Sequence, residues 1–157
     1  MKPAVYIETS LVSYLVNRPS RNLIVAAQQQ ITNEWWDNRR GEFDLYVSQL
    51  VIRESSKGDE EEIKKRLDAI KDVLLLELRV EARELANIFM KDKVLPEKAA
   101  DDALHISVAT IYGIDYLLTW NCKHMANAEI QKRLSKICGE QGYALPIICT
   151  PYELMGE

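Results

Sequence analysis

Several features that would classify a chain quickly are missing from these 157 residues. No apolar stretch reaches the roughly 18 uncharged residues of a membrane-spanning helix, so no membrane span is expected. The opening residues, Met1-Lys2-Pro3-Ala4-Val5-Tyr6, enter a strand-like run at once and contain no signal-peptide core. The three cysteines, Cys122, Cys138 and Cys149, are odd in number, widely spaced and without a C-x-x-C pattern. That argues against a disulfide framework and against a zinc site, and reduced thiols in a cytoplasmic protein are expected. Neither G-x-G-x-x-G nor G-x-x-x-x-G-K-[ST] occurs, which argues against dinucleotide-binding and P-loop enzymes. Positive charge is also in deficit: 20 Lys and Arg stand against 24 Asp and Glu, for a net charge of −4. A protein that binds nucleic acid through its overall field is usually basic. Here such binding would need local patches, and bound cations that reverse the sign of an acidic pocket.

What is present is the composition of one globular domain, 47% hydrophobic and 28% charged, expected to span residues 1–157 without linker, repeat or low-complexity segment. Val5 to Glu8 reads as a strand, followed by a helix carrying Leu11, Tyr14 and Leu15 that Thr9 or Ser10 can cap. After a break at Asn17-Arg18-Pro19-Ser20, Leu23, Ile24, Ala27, Ile31 and Trp35 recur at helical spacing, with Gly41 at the expected end. Phe43 to Leu50 reads as a second strand, leading through Val51-Ile52-Arg53-Glu54 into a short helical turn. Asp59 can cap a helix bearing Ile63, Leu67 and Ile70. Val73 to Leu78 is a third strand, with a helix from 80 to 91 after it. Pro96 precedes a helix from 97 to 112 that Gly113 ends. Asp115 to Thr119 is a fourth strand, Asn121 to Ile137 a helix closed by Gly139 and Gly142, and Leu145 to Cys149 a last strand. Strands alternating with helices in this way predict a parallel sheet covered on both faces.

Four separated segments place a carboxylate or an amide where a strand ends or a helix begins. They are Val5-Tyr6-Ile7-Glu8-Thr9-Ser10, Val51-Ile52-Arg53-Glu54, Ala100-Asp101-Asp102-Ala103-Leu104-His105 and Tyr116-Leu117-Leu118-Thr119-Trp120-Asn121. A residue just past a buried parallel strand lies at the rim of the sheet, so Glu8, Glu54, Asp102 and Asn121 are expected to converge on one crevice. Carboxylates gathered without Lys or Arg repel one another unless hard cations sit between them. The pattern therefore points to Mg2+ or Mn2+, and to phosphoryl transfer or phosphodiester hydrolysis. Asp101 and Asp102 point about 100° apart on a helix, and Asp102, beside Ala103, Ile106 and Ala109, lies nearer the sheet. Each acid also has a plainer reading: Glu8 as a helix-terminal acid, Glu54 as a solvated partner of Arg53 or Lys57.

On these four motifs, in this order and these contexts, the chain resembles the PIN-domain family, and within it the VapC-type toxins of bacterial and archaeal toxin–antitoxin pairs. The likeness extends over nearly the whole chain. It implies a PIN-like three-layer α/β sandwich with a central parallel sheet flanked by helices. It also implies a Mg2+- or Mn2+-dependent endoribonuclease, with Glu8, Glu54 and Asp102 as metal ligands and Asn121 completing the catalytic set. Many members carry Asp at the position of Glu8 and an acid near that of Asn121, and an amide there would hold a cation more weakly.

Ser10, Thr119 and His105 are candidate polar supports, although a semi-buried histidine one turn from Asp102 more often serves the core. Arg18, Arg21 and Lys123, with His124, are candidates for RNA contact, and Arg39-Arg40 ends a long helix where cations are favoured locally. Trp36 and Trp120 are candidates for base stacking, whereas Trp35 falls on an apolar stripe and is expected in the core. The implied partners are an RNA substrate, a small antitoxin protein and a second copy of the chain as a homodimer. A contrasting reading is a PIN-like module that binds RNA or a protein without cutting. Carboxamide substitution of Glu8 or Asp102 is expected to leave the fold intact or slightly stabilised.

Overall fold

A computed structural model describes residues 1–156. Five short strands form one sheet: β1 (Ala4–Ile7), β2 (Asp44–Ser48), β3 (Leu74–Leu76), β4 (Tyr116–Leu118) and β5 (Ile147–Cys149). Their order across the sheet is β3-β2-β1-β4-β5, and every pairing is parallel. Among the described residues seven α-helices accompany them: α1 (Thr9–Val16), α2 (Leu23–Asn38), α3 (Gln49–Ser55), α4 (Glu60–Ile70), α5 (Val80–Lys91), α6 (Ala100–Ile111) and α7 (Ala128–Glu140). The element order and the all-parallel sheet are those read from the sequence.

Burial explains why the central strands carry no alternation. Val5, Tyr6 and Ile7 of β1, and Leu117 and Leu118 of β4, are fully enclosed, as both faces of a parallel sheet must be when helices cover them. The most enclosed helix is α6, whose residues from Ala103 to Thr110 are all buried. Trp35 is completely buried, stacks on Phe43 with ring centroids 5.7 Å apart, and donates its indole N–H to the Leu154 carbonyl at 3.1 Å.

Several boundaries differ from the sequence reading, each for a local reason. The second strand stops at Ser48, whose hydroxyl accepts the Leu50 N–H at 3.2 Å and caps α3. Val51-Ile52-Arg53-Glu54 is therefore helical throughout, and Glu54 sits near the C-terminal end of α3 rather than at a strand terminus. Helix α2 begins after Asn22, whose side chain accepts from the N–H groups of Ile24 and Val25, and it ends before the short 3-10 turn Arg40–Glu42 that contains Gly41. Helix α7 begins only at Ala128, capped by Asn127, so Asn121 lies in the loop before it, and Gly139 lies within the helix. Gly113 and Gly142, at φ of 68° and 81°, do follow the ends of α6 and α7 in the left-handed conformation that glycine adopts without strain.

The chain runs from β1 outward to β2 and β3, then returns past β1 to β4 and β5. The connections therefore reverse direction between β1 and β4. In open parallel sheets a crevice forms at the carboxyl ends of the two strands flanking such a reversal. Glu8 follows β1 and Thr119 follows β4, at that point.

Candidate active site

Glu8 is the most tightly held of the acids. It is buried, and it N-caps α1: its Oε2 accepts the Ser10 N–H at 3.1 Å. Its Oε1 accepts from the Ser10 hydroxyl at 2.5 Å and from the Thr119 hydroxyl at 2.6 Å. Ser10 Oγ in turn accepts the Trp120 N–H at 2.9 Å, and Thr119 Oγ1 accepts the Asn121 N–H at 3.0 Å. Three donors from both sides of the crevice therefore fix Glu8.

Glu54 reaches the same crevice from α3. The Thr9 hydroxyl and the imidazole of His105 both meet its Oε1, the latter at 2.7 Å from Nε2. Burial alone would raise its carboxyl, but the hydrogen bond and charge of His105, the Thr9 hydroxyl and the charge of Arg53 bring it below the ordinary carboxylate value. The plainer expectation of a solvated pair with Lys57 or Arg53 does not describe it. Arg53 instead lies 3.8 Å from Asp101, with both side chains exposed.

Asp102, in the first turn of α6, accepts from or faces His124 Nδ1 at 3.2 Å from its Oδ2. Burial raises its carboxyl above the ordinary value and the charge of Glu8 adds to that, against the opposing pull of His105 and His124. Glu8 and Asp102 are thus near enough to repel, as expected of acids that share a site without a cation between them. His105 is completely buried, and burial lowers its imidazole. The hydrogen bond to Glu54 and the charges of Glu8, Glu54 and Asp102 outweigh this and hold it above its ordinary value.

The Asn121 side chain is engaged within the turn that follows β4. Its Oδ1 accepts the His124 N–H at 3.0 Å, and its carbonyl accepts from Met125 and Ala126. It closes the turn that aims His124 at Asp102. His124 is a site residue that the spacing placed near the crevice only as a charge for RNA, because its contact with Asp102 depends on that turn. Trp120 stacks on Tyr14 at 5.8 Å and donates its indole N–H to Thr32 Oγ1 at 2.7 Å, which ties the loop after β4 to α1 and α2. Arg18, Arg21 and Lys123 are exposed.

Among the described residues, the tightest grouping of metal-ligating atoms is one each from Glu8, Glu54 and His105, all within 4.8 Å of one another. Asp102 is not part of that grouping; its carboxylate faces His124, and the charge of Glu8 reaches it. An oxygen-rich donor set with no Lys or Arg inside it suits a hard divalent cation such as Mg2+ or Mn2+.

No family model matches the chain, and no curated protein matches it by sequence. Solved structures do. VapBC2 from Rickettsia felis, crystallised bound to a DNA fragment from its promoter, is 15% identical. The match covers 94% of this chain and 98% of that one, with a TM-score of 0.53. VapC20 from Mycobacterium tuberculosis, described as a toxin that cleaves the sarcin–ricin loop, is also 15% identical. It matches over 76% of this chain and 92% of that one, with a TM-score of 0.59. The fold is thus the PIN-domain fold of VapC-type proteins, a five-stranded parallel sheet between helical layers. Among the described residues, no helix is long and apolar enough to cross a membrane.

Proposed function

We propose that this chain is a metal-dependent endoribonuclease and the toxin of a toxin–antitoxin pair, acting as a single PIN-like domain in the cytoplasm. The observation that supports the reading is the grouping of Glu8 and Glu54 beside the β1/β4 reversal of a VapC-type fold, with Asp102 close enough to feel the charge of Glu8. Burial and the charge of Glu8 raise the cost of ionising Asp102, which a divalent cation would offset.

In this reading Glu8, Glu54 and Asp102 hold Mg2+ or Mn2+. A bound divalent cation supplies Lewis-acid activation of water and neutralises charge on the scissile phosphate. Ser10 and Thr119 keep Glu8 in one rotamer. Thr9 does the same for Glu54. Asn121 acts through His124, which it aims at Asp102, rather than as a ligand. Arg18, Arg21 and Lys123, all exposed, would meet the RNA backbone, whose phosphates attract exposed cations irrespective of sequence.

A nuclease of this kind needs restraint, and an open acidic crevice is best blocked by an Arg or Lys of a small antitoxin protein. Truncating one side of such a desolvated pair costs on the order of 2–5 kcal/mol. A homodimer would present two crevices to such a partner. The test is induction of this chain alone and together with its adjacent small gene, followed by growth measurement and co-purification. Growth arrest relieved by a co-purifying neighbour is expected; unaffected growth with no partner removes the toxin reading and leaves the ribonuclease reading standing. A binding module that does not cut is the contrasting reading, favoured by the engagement of the Asn121 amide with His124.

A further inference from the structure

His105 lies at the end of a buried hydrogen-bond chain that the proposed chemistry does not use. The Leu50 N–H donates to Ser48 Oγ at 3.2 Å, and Ser48 Oγ lies 2.8 Å from the Tyr6 hydroxyl. The Tyr6 hydroxyl lies 2.6 Å from His105 Nδ1, and His105 Nε2 lies 2.7 Å from Glu54 Oε1. Tyr6, Ser48 and His105 are all buried, so each polar group depends on the next for a partner. One direction satisfies every member: Ser48 donates to Tyr6, Tyr6 donates to Nδ1, and Nε2–H donates to Glu54. The opposite neutral tautomer would set a bare Nε2 lone pair against the carboxylate. The Tyr6 and His105 rings also meet edge to face, with centroids 5.8 Å apart and planes at 69°, which restrains imidazole rotation.

Two consequences follow from that geometry. With its proton on Nε2 and donated to Glu54, His105 can offer that nitrogen to a cation only by taking the other tautomer and giving up its bond to Glu54. Glu54, meanwhile, carries a long side chain near the end of a seven-residue helix, where little else would hold one rotamer. His105 and Thr9 share its Oε1, and no hydrogen bond among the described residues engages Oε2.

We infer that His105 is a positioning residue: braced by Tyr6 and Ser48, it fixes the Glu54 carboxylate toward the divalent cation of the function proposed above and does not itself ligate that cation. The inference rests on that proposed function for the cation and on the hydrogen-bond chain for the role of His105. Partners that orient a ligand in this way typically change metal affinity by about 10–100-fold when removed.

The test is calorimetric titration of MnCl2 into RNA-free protein, with circular dichroism to confirm folding. In His105→Asn the shorter amide keeps the Tyr6 side and loses Glu54, and affinity is expected to fall on the order of 10-fold. In His105→Gln the amide nitrogen falls near the position of Nε2, and most of the affinity should return. Glu54→Gln with His105→Asn should bind no more weakly than Glu54→Gln alone. Equal losses in the Asn and Gln variants, with losses that multiply in the double variant, would make His105 a ligand and overturn the inference. Tyr6→Phe keeps the buried ring and should lose affinity less steeply; parent-like affinity there would contradict the brace. If the parent binds no Mn2+, the metal reading fails separately. Nitrogen-15 spectra of His105 then decide: a protonated Nε2 whose signal shifts in Glu54→Gln supports the clamp, and a bare Nε2 overturns it.

Discussion

Replacing Glu8 by Gln should destabilise the metal-free protein, even though it removes one of several self-repelling charges. The carboxylate accepts three hydrogen bonds, two hydroxyls at Oε1 and the Ser10 N–H at Oε2. A Gln amide accepts on one side only. With its oxygen at the hydroxyls, its NH2 faces the Ser10 N–H, donor against donor, and the α1 cap is lost. With its oxygen at Ser10 N, the NH2 faces Ser10 and Thr119, whose hydroxyl protons must find other acceptors in a buried pocket. Loss of an N-cap costs about 0.5–2 kcal/mol, and the lost charge at the helix N-terminus adds roughly 0.3–1 kcal/mol. After allowance for repulsion relieved, about 1–2 kcal/mol should remain, or roughly 2–8 °C in melting temperature for a domain of this size. The three hydrogen bonds argue against the expectation that carboxamide substitution at Glu8 leaves the fold intact or slightly stabilised. Thermal melting in chelator, with a urea titration as control, measures it. A melting temperature equal to or above the parent's would refute the argument that Glu8 serves the fold as well as the crevice.

Asp102→Asn should behave oppositely. Burial and the charge of Glu8 raise Asp102, so its ionisation opposes folding once the pH exceeds the ordinary carboxylate range. The variant should melt at or above the parent near neutral pH in chelator, and a clear decrease would show that its contact with His124 outweighs repulsion. His105 is held above its ordinary value, so its contribution is complete below that value and is lost as pH rises through the raised one. The metal-free protein should therefore lose stability upward from about pH 6.5; His105→Gln should flatten that slope, and an unchanged slope would assign it elsewhere. Burial pushes the Cys138 and Cys149 thiols up to about 11 and about 12, while Cys122 is exposed. A thiol reagent at neutral pH should label Cys122 alone in the native protein and all three after denaturation; native labelling of either buried thiol would contradict the packing of α7 and β5.

The architecture was legible because its signals are periodic. Val5-Tyr6-Ile7 and Leu117-Leu118 read as buried strands without any tertiary information, and Trp35 fell on its helical stripe. Positions that depend on one short cap were less legible. Ser48 ends β2 by capping α3, yet it stands inside an apolar run that continues to Ile52, so the run concealed the change from strand to helix. Asn121 resembles a helix start in the sequence because an Asn after a strand often caps one. It does form a cap-like turn, but the helix waits for Asn127. The acids themselves were visible from their contexts. The His105 contact with Glu54 and the His124 contact with Asp102 were not, because 51 and 22 residues of chain separate the partners and only the packed sheet brings them together.

The most direct test of the account is cleavage of a mixed RNA pool by the purified protein with Mn2+, with chelator, and with Asp102→Asn in parallel. Asp102 is the discriminating choice, because unlike Glu8 it caps no helix with its side chain and its loss should leave the protein folded. The account predicts cleavage by the parent with Mn2+, none in chelator, and none by a folded Asp102→Asn variant under any condition. Cleavage by that variant at the parent rate, or cleavage by the parent that persists in chelator, would contradict it.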